Sequence, residues 1–174
     1  TEILQQTNFH ISGSIMGTVQ KDRLIDGNRV EHGDVILGLP SSGIHANGWT
    51  AISKRMPEMI TPENLTATKI YAREIMTLMA RVDKPCAIVN ITGGGFRNLE
   101  RIPNNFQYEL TFDYTPDPFK DLGCEFSHQE LYTTFNCGIG MMVIVKMEDL
   151  AKAMDAMEGS RVIGGVVDNA RPNV

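Results

Sequence analysis

The sequence predicts an α/β (α+β-like) sandwich, with a mixed sheet flanked by helices. Two observations carry that prediction. Short apolar runs of strand length alternate with stretches whose apolar residues recur at helical spacing. The last third of the chain also reads strand, helix, strand, and such an alternation builds layered folds.

The elements follow in order. Residues 14–20 (SIMGTVQ) read as a strand. Ile25-Asp26-Gly27-Asn28-Arg29 is a turn, because Asp-Gly and Asn suit turn backbones. A second turn at His32-Gly33-Asp34 leads into Val35-Ile36-Leu37-Gly38-Leu39, a buried strand. A small-residue loop from Pro40 to Gly48 precedes a helix from Trp49 to Met59, and Pro62 breaks the pattern beyond it. Tyr71, Ile75, Leu78, Met79 and Val82 recur at helical spacing and predict a long amphipathic helix from Leu65 to Val82.

Cys86 to Ile91 is a short strand that ends in Thr92-Gly93-Gly94-Gly95, where a short helix could start. Gln107 to Asp113 alternates as a strand does, and Asp113 to Gly123 is a loop with a single helical turn at most. Ser127 with Glu130 forms a capping box for a helix through Thr134. Met141 to Val145 is a strand. Met147, Leu150, Met154 and Met157 form the apolar face of the next helix, and Arg161 to Val167 is the last strand. Met141, Met142, Met147, Met154 and Met157 read as core filler. The polar tail from Asp168 reads as frayed.

Composition narrows the function classes. Apolar residues make up 42% of the 174, enough for a core and too many for a disordered tail. The net charge of -5, with scattered bases, argues against a nucleic-acid surface. No apolar run approaches the roughly 20 residues that cross a bilayer. Cys86, Cys124 and Cys137 are odd in number, without a CxxC pair, and read as buried free thiols in a cytoplasmic protein. His10, His32 and His128 lie in polar contexts and read as surface residues. No histidine pair or acidic cluster has metal-ligand spacing, so no metal residue is assigned. GxxxxGK[ST] and GxGxxG are both absent.

Three small-residue loops remain as candidate sites. Pro40-Ser41-Ser42-Gly43-Ile44-His45-Ala46-Asn47-Gly48 lies between a strand and a helix, so its hydroxyls and N–H groups could cradle an anion. An ordinary capped turn fits the same composition. Thr92-Gly93-Gly94-Gly95 costs backbone entropy, which implies close approach to a ligand or to another backbone. Arg97 could add charge there, or sit solvated. Thr134-Phe135-Asn136-Cys137-Gly138-Ile139-Gly140 is either a site or a tight loop packed under the sheet. His45 is the only histidine inside such a loop.

These loops closely resemble the aminoimidazole ribonucleotide (AIR) synthetase family. The resemblance runs through Ile25-Asp26-Gly27, Gly33-Asp34-Val35, Ser41-Ser42-Gly43-Ile44-His45-Ala46-Asn47-Gly48, Ile91-Thr92-Gly93-Gly94-Gly95-Phe96, Arg101-Ile102-Pro103, Glu130-Leu131-Tyr132-Thr133-Thr134-Phe135-Asn136-Cys137-Gly138-Ile139-Gly140-Met141 and Val162-Ile163-Gly164. Order and spacing agree from about residue 13 to residue 167.

The resemblance implies that 1–174 is a single domain, the carboxy-terminal domain type of the AIR synthetase superfamily. In the family an amino-terminal domain supplies most of the ATP and Mg2+ contacts and builds the homodimer. That domain is expected upstream of Thr1. The implied reaction is the ATP-dependent cyclisation of formylglycinamidine ribonucleotide in purine biosynthesis. Carried over by residue, the substrate or its phosphate falls to Ser41, Ser42, Gly43, Asn47, Gly48, Thr92, Gly93, Gly94, Gly95, Asn136 and Gly138. His45 is the implied orienter or proton donor. Pro40, Ile44 and Asn90 depart from the family pattern, and Pro40 removes one N–H donor. Sister enzymes of the superfamily (formylglycinamidine ribonucleotide synthetase, selenophosphate synthetase, thiamine-phosphate kinase) and a non-catalytic ligand-binding module are the alternatives.

Overall fold

The computed structural model describes residues 12–111 and 116–169. The strands are β1 (Val35–Pro40), β2 (Ala87–Asn90), β3 (Gln107–Leu110), β4 (Ile139–Val145) and β5 (Arg161–Val167). The helices are α1 (Trp49–Arg55), α2 (Ala72–Arg81), α3 (Phe119–Glu125), α4 (His128–Thr134) and α5 (Leu150–Ala156). One sheet runs β2-β4-β1-β5-β3. Each neighbouring pair is antiparallel. Both β4 and β5 run against β1, so they are parallel to each other with β1 between them. The expected strand-helix-strand ending is therefore a crossover that spans the central strand.

The sandwich has a helix layer on each face, which is why β1 and β4 read as nearly unbroken apolar runs. Side chains alternate across the sheet. Ile36, Met142, Ile144, Ile163 and Val166 face one core with Ile52 of α1, Phe119 and Leu122 of α3 and Leu131 of α4. Leu37, Leu39, Val143 and Val145 face the other with Leu78 of α2 and Ala153 and Ala156 of α5. The Ser127 capping box is present in full, with the hydroxyl accepting from the Glu130 N–H and the Glu130 carboxylate accepting from the Ser127 N–H.

The structure corrects several sequence expectations. Residues 14–20 form no strand, and Ile15 and Met16 are each 97% exposed. A strand needs a paired neighbour, and none meets this segment among the described residues. The helix expected from Leu65 begins only at Ala72. Before it the chain is irregular, held where the Thr66 hydroxyl donates to Ser42 O and the Ser42 hydroxyl donates to Ala67 O. These tertiary bonds outweigh the helical pattern, which β-branched Thr66 and Thr68 support weakly.

The helix expected through Met59 ends at Arg55, because Pro57 cannot continue it and opens a 3-10 turn instead. The helical turn expected within 113–123 is the start of α3, which runs on from Phe119 to Glu125. Met79, Met147 and Met154 point to solvent rather than to the core, and Cys124 is exposed. Cys86 and Cys137 are buried. Asp168 and Asn169, expected to fray, are tied by hydrogen bonds to His32 and Gln107. His10, the end of the expected strand at 112–113, the loop at 114–115 and the tail at 170–174 lie outside the described residues.

Candidate functional site

The sheet register brings the three loops together. β1 ends at Pro40, opposite Ile139 at the start of β4. β2 ends at Asn90, opposite Met141. The loops after β1 and β2 and the loop before β4 therefore emerge at one end of the sheet, across three adjacent strands. No local feature of the sequence specifies that convergence; strand order does.

The third loop braces the first. Asn136 is 4% exposed. Its amide donates to Gly43 O at 2.9 Å and to Ile44 O at 3.1 Å. Its side-chain oxygen accepts from the Gly138 N–H at 2.8 Å and from the Ser41 hydroxyl at 3.2 Å. The Ser41 N–H donates to Gly138 O at 2.8 Å. Ser41, Asn136 and Gly138 thus bond to one another, and Ser41 also borders the polar hollow beside Ser42. Both serine hydroxyls of the first loop donate inside the protein. Ser42 and Gly43 border a polar hollow that also receives Glu63, Asp117 and Asp121. Its carboxylates would repel an anion.

His45 sits at the bend of the first loop, with a positive φ of 62°. The Ser42 N–H donates to its Nε2 at 3.1 Å, and the Trp49 indole donates to its carbonyl at 2.6 Å. Because Nε2 accepts, the proton of the neutral ring belongs on Nδ1. Burial, with a smaller contribution from the charge of Lys69, lowers its pKa. The Tyr71 ring lies edge-on at 6.4 Å, and the Tyr71 hydroxyl donates to Pro40 O. Burial raises the Tyr71 pKa, so the phenol stays protonated.

Two clefts meet at the triple-glycine loop. One, of about 470 Å3, is bordered by His45, Asn47, Lys69, Tyr71, Asn90 and Thr92. The other, of about 350 Å3, is bordered by Gly93, Gly94, Arg97, Asn98, Arg101 and Thr133. Asn47 lies against Gly93, which joins the two. Gly93 and Gly94 are exposed, whereas Gly95 is buried against the Tyr132 carbonyl. Gly48 abuts the Phe135 ring. Arg97 is paired with Glu100. A further hollow, of about 610 Å3, runs from Arg97 along β3 between Phe96, Phe106, Tyr108 and Tyr132. The sequence reading missed it, because those aromatics are scattered over 37 positions and share no motif.

Of the residues named from sequence, His45, Asn47, Thr92, Gly93 and Gly94 gather at the clefts. Ser41, Asn136, Gly138, Gly48 and Gly95 hold the loops to one another or to α4. Tyr71 and Lys69 join the site from the irregular stretch before α2. No three His, Cys, Asp or Glu side chains among the described residues group as a metal site. No helix among them is long and apolar enough to cross a membrane.

A pH dependence follows from His45. Its folded pKa lies below the ordinary 6.5, so the unfolded chain takes up the proton first as pH falls. The stability contributed by the neutral ring is complete above about pH 6.5 and is lost as pH drops below it. Melting curves of wild type and His45→Gln at pH 7.5 and 5.5 should therefore differ in slope. Wild type should lose more stability over that interval. Equal losses would place the titration elsewhere.

A helix-covered antiparallel sheet with glycine loops and clefts at one end defines an α/β sandwich domain. The chain belongs to the AIR synthase related protein family, in its C-terminal domain: the family model matches residues 31–174. It is 33% identical to a phosphoribosylformylglycinamidine cyclo-ligase from Alkaliphilus oremlandii, over 95% of this chain and 56% of that protein. It is 35% identical to the Nitrosococcus oceani protein of the same name, over 95% of this chain and 52% of that one. The chain thus spans about half the length of the curated relatives it matches. Among solved structures it is similar to the hydrogenase maturation protein HypE, with a TM-score of 0.61, 22% identity, and coverage of 82% of this chain and 46% of that one. It is similar also to Thermotoga maritima PurL complexed with FGAR, with a TM-score of 0.57, 14% identity, and coverage of 86% and 26%. These two likenesses establish the fold.

Proposed function

We propose that this chain is the substrate-closing, carboxy-terminal part of a cytoplasmic, ATP-dependent cyclo-ligase that converts formylglycinamidine ribonucleotide to aminoimidazole ribonucleotide. The observation that carries the proposal is the identity of about one third to named cyclo-ligases over nearly the whole chain. The open Gly93-Gly94 shelf, with Arg101 beside it, supports it as a place for a ribose phosphate. The acidic hollow at Ser42 makes the first loop the poorer place for that group.

The residues of this chain bind and orient. The Gly93 and Gly94 backbone approaches the phosphate, Asn47 and Thr92 border the route to the reacting end, and neutral His45 offers Nδ1–H as a hydrogen-bond donor. ATP supplies the phosphoryl group that turns the formyl oxygen into a leaving group. Holding the two reacting ends together then accelerates closure of the ring. We assign ATP, Mg2+ and the homodimer contact to an amino-terminal domain of the longer protein. The exposed apolar side chains of Ile15, Met16, Val19 and Leu24 are the surface offered to it.

The test is reconstitution. The chain alone is expected to show no ATP-dependent formation of aminoimidazole ribonucleotide, and a matching amino-terminal domain should restore turnover. Turnover by the chain alone, or none after correct pairing, would overturn the proposal.

A further inference from the structure

Asn136 differs from the other polar residues of the site in having no capacity left. A side-chain amide offers two donors and two acceptor lone pairs. Here both donors go to the Gly43 and Ile44 carbonyls, and both lone pairs receive the Gly138 N–H and the Ser41 hydroxyl. The side chain is 4% exposed. It spans 93 positions of sequence to reach a loop whose next residue is His45, held in the left-handed region at φ 62°. A residue with φ there keeps that shape only where its surroundings hold it. The carbonyls of Gly43 and Ile44, the two residues before His45, are the atoms that Asn136 holds.

We propose that Asn136 is the positioning residue of the cleft. It acts on a bound ribonucleotide only through the first loop, by keeping His45 and Asn47 presented to the ligand, and does not touch the ligand. The effect on ligand rests on the function proposed above; the effect on the loop does not.

Asn136→Asp keeps the shape but sets a carboxylate against two carbonyl oxygens and removes both donors. In the ligand-free chain, imidazole 15N shifts of His45 should lose the signature of an Nε2 that accepts a hydrogen bond, while far-ultraviolet circular dichroism is unchanged. Formylglycinamidine ribonucleotide should bind about 10- to 100-fold more weakly. In a cycle with His45→Ala the two losses should be clearly sub-additive, because both act through one loop. Additive losses would mean a direct contact and overturn the proposal. So would wild-type affinity in Asn136→Asp. If wild type itself does not bind the ribonucleotide, the functional reading falls, and the His45 signature alone decides: a shift supports the positioning role and an unchanged spectrum overturns it. Should Asn136→Asp fail to fold, Asn136→Ser, which keeps one donor, is measured in the same cycle with the same criteria.

Discussion

Gly95→Ala is expected to destabilise the protein severely, while Gly93→Ala, two residues away, leaves it folded and weakens ligand binding. A β-carbon on Gly95 would lie 2.1 Å from the Tyr132 carbonyl oxygen and 2.8 Å from its carbon. Those are backbone atoms of α4, so relief requires moving a helix that packs in the core. The φ of +57° adds strain for any L side chain. Together these should cost roughly 4 kcal/mol, at the upper end for overpacking. At Gly93 the nearest atom to a β-carbon is Asn47 Oδ1, at an ordinary contact of 3.5 Å. The fold should therefore tolerate alanine there.

The same β-carbon stands on the shelf that we assign to the phosphate. Loss of one charge-assisted hydrogen bond would weaken the ribonucleotide roughly 10- to 100-fold. Gly94→Ala is the poorer probe, because φ +102° brings a backbone strain of about 1–3 kcal/mol whatever the ligand does. Urea unfolding of Gly93→Ala and Gly95→Ala, beside ribonucleotide titration of the former, checks the contrast. Equal stabilities for the two variants would contradict the packing argument. Undiminished affinity in Gly93→Ala would remove the shelf from the site.

Gly140→Ala is the second large effect expected. Its β-carbon would meet the Tyr71 hydroxyl at 2.0 Å and His45 Cε1 at 2.5 Å. Both rings are buried, and the hydroxyl donates to Pro40 O at 3.0 Å. Pushing it aside leaves that carbonyl and the phenol unsatisfied, so the cost should reach about 3 kcal/mol. Tyr71→Phe alone should cost about 1 kcal/mol, the net value of one hydrogen bond. In the Gly140→Ala background it should cost less or even stabilise, because it deletes the clashing oxygen. Thermal melts of the four proteins give the coupling. Strict additivity would show that the clash is relieved by some other movement.

Much of this architecture is written locally. The apolar runs of β1 and β4 reflect burial on both faces of a sheet, and the Ser127–Glu130 box starts α4 by hydrogen bonds within four residues. The places where the pattern misled are those where distant groups prevail. Residues 66–67 fall within the span expected to be helical, yet their hydrogen bonds to Ser42 hold them outside the helix. Residues 14–20 read as a strand, and no edge among the described residues pairs with them. Met147 and Met154 fit a helical stripe, but α5 is short and its small residues Ala153 and Ala156 make the contact instead.

For the site, composition alone located three loops and favoured the triple-glycine one. The sequence by itself determined which loops are small and polar, which strands are buried, and, by resemblance, which family they belong to, because these are properties of neighbouring residues and of their order. Only the tertiary structure decided the division of labour among them. It turned Asn136, Ser41 and Gly138 inward as a brace, pressed Gly95 and Gly48 against α4 and its Phe135 end, and left Gly93, Gly94, Asn47 and Thr92 facing the clefts. The reason is physical: a buried amide must satisfy its donors wherever acceptors lie, and strand order, rather than chain order, set the Gly43 and Ile44 carbonyls beside Asn136.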